Sequence, residues 1–456
     1  MSMSEQANAQ TRLESGVFND SALYGAQRPQ PVNSELDPPA SFVPGIPRTL
    51  EETGLGAAVI EELIFKTLLA KGALSGREIS DDLCLHFSIV EKILADLKNR
   101  LLVAHKANVG MGDFVYILTD NGQEKALAAR EISAYAGAAP VVFEDYLYAV
   151  SQQSIRSERP TKTSLQQAFS DMIFDEALFD TIGPAINSGR GLFLYGEPGN
   201  GKTTIAEKMA QCFRHHVFIP RALLIEGQIV QLYDPQNHEA IAEEGGLLAR
   251  YDRRWVEIRR PTVVVGGELT MDALEIKYNP VLKISEAPLQ MKANCGIFLI
   301  DDFGRQRVSH IDLLNRWIVP LEKRVDYLVL PNGQKITVPF DELIIFSTNL
   351  DPAQLVDDAF LRRIPYKIHV KDPSEADFKE IFGLLCPRYG VAYDEPMLDW
   401  LIRKHYHNRR AFRGCQPRDI LEQIVNAASY QGIAPRMSEE TLDMACRNYF
   451  AAMGKL

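Results

Sequence analysis

The chain has 456 residues, 46% apolar and 24% charged, enough for about two to four domains with sizeable cores. A net charge of −11 argues against a chain that grips nucleic acid broadly, since phosphate neutralisation supplies most non-specific affinity. The six cysteines form no CxxC pair and no His cluster accompanies them, so they read as reduced thiols rather than zinc ligands. The start of the chain is polar without an apolar signal core, and no run approaches the roughly 18 apolar residues of a membrane span. The expected location is the cytoplasm, with no membrane partner.

In chain order, residues 1–50 are polar, with prolines at 29, 31, 38, 39, 44 and 47, a density that sustains neither helix nor central strand. A disordered or extended arm is expected there, with a peptide-docking role as an alternative. Residues 51–137 carry an apolar helix ending at Gly72, a short helix after Ser75, and a third with Ile89, Ile93, Leu94 and Leu97 on one stripe. Two strands around the loop Asn108–Gly112 and a closing helix follow. Three helices and a two-stranded wing resemble a winged-helix domain. Residues 138–165 read as a linker. Residues 166–370 alternate helices with short apolar strands, which predicts a parallel sheet, and residues 371–456 read as a helical lid.

The strongest motif starts at the strand Gly191–Tyr195 and runs through Gly196, Glu197, Pro198, Gly199, Asn200, Gly201, Lys202, Thr203 and Thr204 into a helix. This is GxxxxGK[ST] in its required strand–loop–helix setting. Glycines let backbone N–H groups turn toward phosphates, and the helix N-terminus adds partial positive charge. Lys202 is a point charge for the outer phosphates, and the Thr203 hydroxyl suits Mg²⁺. ATP with Mg²⁺ is the expected ligand. A second apolar strand, Gly296–Ile300, ends in Asp301 and Asp302. Asp301 is expected to hold Mg²⁺ beside Thr203, and Asp302 to polarise the attacking water.

A third strand, Leu343–Phe346, ends in Ser347, Thr348 and Asn349, and the segment Leu355–Ile364 brings Arg362 and Arg363. Gly414 to Ile420 opens a lid helix with Pro417 and Arg418. Together these motifs, in this order, resemble AAA+ ATPases. The resemblance implies an α/β P-loop sheet sandwich with a helical lid, an Asn349 that senses the γ-phosphate, arginines 362 and 363 that reach a neighbour's ATP, and a lid Arg418 that closes on phosphates. It also implies a homo-oligomer, by resemblance a hexamer. Many members carry Glu where this chain has Asp302, which leaves a nucleotide-gated scaffold with little turnover as an alternative. The hairpin signal Pro331–Gly333 ahead of the third strand, and the stretch of 99 positions from Lys202 to Asp301, resemble the MoxR-like group. The implied task is remodelling of an unidentified protein client.

The winged-helix region raises a DNA-bound regulator or loader as a further alternative. From Glu51 to Glu131, nine basic residues face thirteen acidic ones, a net of −4. The third helix carries Glu91 and Asp96, and its basic residues lie at its far end, away from where base contacts start. Protein contact is therefore favoured, and nucleic acid is the disfavoured partner.

Overall fold

The computed structural model describes residues 42–110, 112–173, 176–213, 216–241, 250–356, 358–407 and 410–451. The proline-rich arm falls mostly outside the described residues, as does Asp357 of the arginine segment. Residues 42–50 are described, and they differ from a loose arm. Phe42 packs against Trp255 and Tyr148 at ring-centroid distances of 5.6 and 6.1 Å, and the Pro44 carbonyl accepts from the Asp252 N–H at 3.0 Å. Proline forbids helix there, but it does not stop an aromatic anchor from docking an extended segment.

The first folded region contains α1 (Ala57–Lys71), β1 (Leu74–Ser75), α2 (Gly76–Leu83), α3 (Phe87–Asn99), β2 (Val103–Gly110), β3 (Asp113–Leu118) and α4 (Asp120–Ile132). Ser75 caps α2 with Glu78 in a reciprocal capping box, and Thr119 caps α4. The strands pair antiparallel in the order β1-β3-β2. Ile60, Leu63, Ile64, Ile79, Leu83, Val90, Leu94 and Leu97 share one core and are essentially inaccessible.

Residues 138–165 are more than a linker. They form β4 (Val141–Val142) and α5 (Phe143–Gln152), and α6 (Lys162–Ala168) starts within their last residues. The physical reason is a helical stripe: Tyr146, Ala149 and Val150 are buried on one face of α5. β4 pairs with β7 of a five-stranded sheet in the order β11-β12-β8-β7-β4, made of β7 (Ala222–Ile225), β8 (Gln228–Gln231), β11 (Lys277–Asn279) and β12 (Ile284–Glu286). Ala222 joins the amino-terminal core, and Leu224, Ile229 and Ile284 pack against it. A sequence gap between motifs is thus filled by a sheet that couples the two halves.

The central sheet is parallel throughout, in the order β10-β13-β16-β5-β17. Its strands are β5 (Leu192–Tyr195), β10 (Thr262–Val265), β13 (Ile297–Ile300), β16 (Leu343–Thr348) and β17 (Tyr366–His369). Every residue of β13 and β16 is buried, as expected of parallel strands covered on both faces. β16 lies between β5 and β13. The ends of three strands that carry separate sequence motifs therefore meet along one edge of the sheet.

Ahead of β16, α10 (His310–Lys323) leads into the hairpin β14 (Val325–Val329) and β15 (Lys335–Pro339). The first strand of this hairpin begins at Val325. Leu321 packs into the core from the helix, and Arg324 ends that helix in the left-handed region at φ 59°. After β16 come α11 (Pro352–Leu355) and α12 (Asp358–Arg363), and then four further helices, α13 (Glu375–Leu385), α14 (Glu395–Leu401), α15 (Gln416–Gln431) and α16 (Glu439–Phe450), around their own core of Phe378, Phe382, Leu398, Ile420 and Leu442. No helix among the described residues is long and apolar enough to cross a membrane.

Candidate active site

The loop between β5 and α8 (Lys202–Ala210) positions the first group of residues. The Lys202 ammonium donates to the carbonyl oxygens of Gly196 and Glu197 at 2.9 and 3.0 Å, and to Asn349 Oδ1 at 2.6 Å. Lys202 is 7% exposed. Burial pushes its ammonium below the usual lysine range, while the carboxylates of Asp301, Asp302 and Glu197 pull it back up. The Thr203 hydroxyl donates to Asp301 Oδ2 at 2.7 Å. Two hard oxygen donors from residues 98 apart in sequence thus sit side by side, which fits the oxygen-only coordination of Mg²⁺.

Asp302 follows β13 in the left-handed region, at φ 49°. That conformation is uncommon for a residue with a Cβ and tolerable for aspartate. It lets Asp301 and Asp302 serve different partners. Asp301 meets Thr203, whereas Asp302 Oδ1 accepts from the Asn349 amide at 3.1 Å. Asn349 therefore bridges Lys202 and Asp302. Gln306 donates to the backbone carbonyls of Asp301 and Asp302 at 2.9 and 3.1 Å, which fastens the turn. Glu207, one helical turn into α8, is pushed above the usual carboxylate range by burial and by Asp301. Neither Gln306 nor Glu207 carries a motif, and sequence reading passed over both.

The lid arginine that touches the loop in this structure is Arg413. The Arg418 guanidinium donates to Asp419 Oδ1 at 2.9 and 2.7 Å and lies 3.9 Å from Glu422. Arg413 instead donates to Glu197 Oε2 at 3.0 Å and pairs with Asp372. Around it the Cys415 N–H donates to the Gly199 carbonyl at 2.7 Å, the Gly414 N–H to Asn200 Oδ1 at 3.1 Å, and the Asn200 amide to Asp372 at 2.7 Å. Gly199 has φ 83°, and a Cβ there would lie 2.5 Å from Cys415 Sγ. Glycine is required both for the turn and for the lid's close approach. The signal that could have pointed to Arg413 is its place directly before this contact, which no spacing rule encodes.

Arg362 and Arg363 end α12 and line a separate cavity of about 700 Å³ whose walls include no residue of the phosphate loop. Arg363 donates to Glu322 at 2.7 Å.

Residues 374–448 match a family described as "Domain of unknown function (DUF8689)". No curated protein matches the chain. Among solved structures, NtrX from Brucella abortus is similar at 14% identity over 70% of this chain and 66% of its own, with a TM-score of 0.37. A Thermotoga maritima RuvB variant is similar at 11% identity over 66% of this chain and 73% of its own, with a TM-score of 0.35. The chain thus spans just under two thirds of the NtrX chain.

Proposed function

We propose that this chain is an AAA+ ATPase that binds ATP with Mg²⁺, hydrolyses it in a ring of like subunits and uses the cycle to remodel a protein partner. The single observation that carries this reading is the convergence of Lys202, Thr203, Asp301, Asp302 and Asn349 at one edge of a parallel sheet. In this reading the loop 196–204 holds the phosphates with backbone N–H groups, and Lys202 exchanges its internal partners for phosphate oxygens. Thr203 and Asp301 would hold Mg²⁺, which supplies charge neutralisation on the phosphates when bound. Asp302 accepts a proton from the attacking water, and Asn349 orients that water by giving up its bond to Asp302. A lid that already touches Gly199 and Asn200 transmits occupancy of the loop to α13–α16.

The amino-terminal region is proposed as a winged helix used for protein contact. Its element order supports the fold assignment. Its charges support the use: Arg100 pairs with Glu61 and Asp96 at 2.9 Å, and Lys71 pairs with Asp82 at 2.6 Å. Cations already paired with carboxylates are poorly available to track a phosphate backbone.

The test is Lys202→Ala. ATP binding measured by calorimetry is expected to weaken at least about tenfold, roughly 1.4 kcal/mol, with turnover falling to background. Equal affinity in the variant and the parent chain sinks the assignment.

A further inference from the structure

Asp302 stands between two residues that are tied to the central sheet. On one side, the Asp301 N–H donates to the Val265 carbonyl at 2.7 Å and its carboxylate accepts from Thr203. On the other, Phe303 is buried, its N–H donates to the Ser347 carbonyl at 2.7 Å, and its own carbonyl accepts from the Thr348 hydroxyl at 3.0 Å. Asp302 itself is exposed and sits at φ 49°, a backbone that residues with a Cβ seldom hold unaided. From that backbone its carboxylate accepts from the Asn349 amide at 3.1 Å. An aspartate is one methylene shorter than a glutamate, so it cannot make up for a displaced backbone by extending its side chain. The place of this carboxylate is set by φ and ψ.

The Gln306 side chain acts on both angles at once. Its amide nitrogen donates to the carbonyls of Asp301 and Asp302 at 2.9 and 3.1 Å, and its Oε1 accepts from the Gly304 N–H at 2.8 Å. The Asp301 carbonyl belongs to the peptide plane before the Asp302 Cα, and the Asp302 carbonyl to the plane after it. Two planes held by one rigid carboxamide leave Asp302 little rotation about either backbone bond. Gly304, at φ 99°, turns the chain back so that residue 306 faces those carbonyls. Gln306 is held in turn by its neighbour, because the Arg307 N–H donates to the Gly267 carbonyl beyond β10 at 3.1 Å. The Arg305 N–H also donates to the Asp302 carbonyl, at 3.0 Å, but it lies within the same turn and moves with it.

We propose that Gln306 is the positioning residue of the hydrolytic step: it holds the Asp302 carboxylate where that group takes the proton of the attacking water, without itself touching the nucleotide. The proposal rests on the ATPase reading above. In that step the water oxygen bonds to the γ-phosphorus, the bond to the leaving phosphate oxygen breaks with its electron pair on that oxygen, and the water proton passes to Asp302. Lys202, Thr203 and the loop 196–204 are held by other contacts, so loss of Gln306 moves the proton acceptor and leaves the phosphate grip in place.

The experiment follows single-turnover hydrolysis, with the full chain in excess over ATP, beside ATP binding by calorimetry. Gln306→Ala is expected to slow hydrolysis about 10–10²-fold, the order that a displacement of about 1 Å costs, with ATP affinity kept within about threefold. Gln306→Glu keeps the length and the acceptor for Gly304 but has no donor for either carbonyl, so it should be as slow. A rate within threefold of the parent chain in either variant overturns the proposal, as does a loss that lies wholly in ATP affinity. A double-mutant cycle separates positioning from general support of the fold. Added to Asp302→Asn, Gln306→Ala should cost less than about threefold more, since no proton acceptor is left to misplace. The full loss in that background overturns the positioning role. A parent chain whose turnover is indifferent to Asp302→Asn overturns the assignment of Asp302 in the ATPase reading; dependence on Asp302 with indifference to Gln306 overturns this inference alone. Thermal unfolding of each variant verifies that it is folded.

Discussion

The two charged sites beside the central sheet differ in how their charges are balanced. At the phosphate loop every charge already has an internal partner: Lys202 is held by two carbonyls and Asn349, Thr203 by Asp301, and Asp302 by Asn349. At the arginine cavity five guanidiniums gather around Glu322, with Asp341 3.5 Å from Arg156 and the Gly189 carbonyl holding Arg324. The first site holds its groups in place before a ligand arrives, and binding exchanges those internal partners for the ligand's oxygens. The second carries more guanidinium than carboxylate on its walls, and on the proposed reading a neighbour's phosphates supply the rest. A self-satisfied site can bind alone; an unbalanced one needs a partner to bring the anion. That difference predicts which variants can be rescued by another chain and which cannot.

The largest expected effect is on the unbalanced side. Arg362→Ala/Arg363→Ala should lower turnover by about 10³-fold, the lower range for arginines that act across an interface in related phosphoryl chemistry. Mixing those chains with Lys202→Ala chains should restore part of the activity, because some shared sites then have an intact loop facing intact arginines. A mixture no more active than its components breaks the contrast between the two sites.

On the balanced side, Asp302→Asn should retain ATP binding and lower turnover about 10²-fold or more, since an amide cannot take a proton from water. Steady-state turnover and calorimetry on the same preparation separate the two effects. Turnover within threefold of the parent chain would assign proton acceptance elsewhere, and Glu207, raised by burial beside Asp301, is the group to examine next.

These sites were unequally legible in the sequence. The phosphate loop is local: nine consecutive residues fix both backbone and chemistry, so a pattern suffices. Asp301, Asp302 and Asn349 were legible because each ends an apolar strand, and a parallel sheet aligns strand ends. The arginine cavity was only half legible. Arg362 and Arg363 belong to a recognisable segment, whereas Arg156, Arg190 and Arg324 are single residues in unrelated segments, brought in by Gly189 and by the left-handed end of α10. The linker was misjudged for a similar reason. The stripe of Tyr146, Ala149 and Val150 is short, and its partner β7 lies some 80 residues on, too far for periodicity to reveal. Arg413 and Arg418 illustrate the limit. Both precede or open the same helix, and only the packing of Gly414 and Cys415 on the loop separates their surroundings.

A smaller effect tests that last distinction. Arg413→Ala removes the pair with Glu197 and Asp372, both partly exposed, so the direct loss is on the order of 0.2–1 kcal/mol. ATP affinity is expected to change by no more than about fivefold. The lid's response to ATP, read by protease protection of residues near Gly199 and Cys415, should change more. Arg418→Ala giving the larger change in protection would assign the lid role to Arg418.

The smallest expected effect concerns Glu342, behind the arginine cavity. It is 0% exposed, and neither carboxylate oxygen has a hydrogen-bond partner. Burial first, then Asp341 and Asp326, push its carboxyl well above the ordinary value of 4.5, against the opposing pull of Arg324. That shift favours the protonated carboxyl in the folded chain. The sign follows from proton binding. Between 4.5 and the raised native value the folded chain holds a proton that the unfolded chain has released, so this group makes stability fall as pH rises through that window. Glu342→Gln should remove its share of the fall, and thermal unfolding at pH 5 and pH 8 should show the variant gaining on the parent at the higher pH.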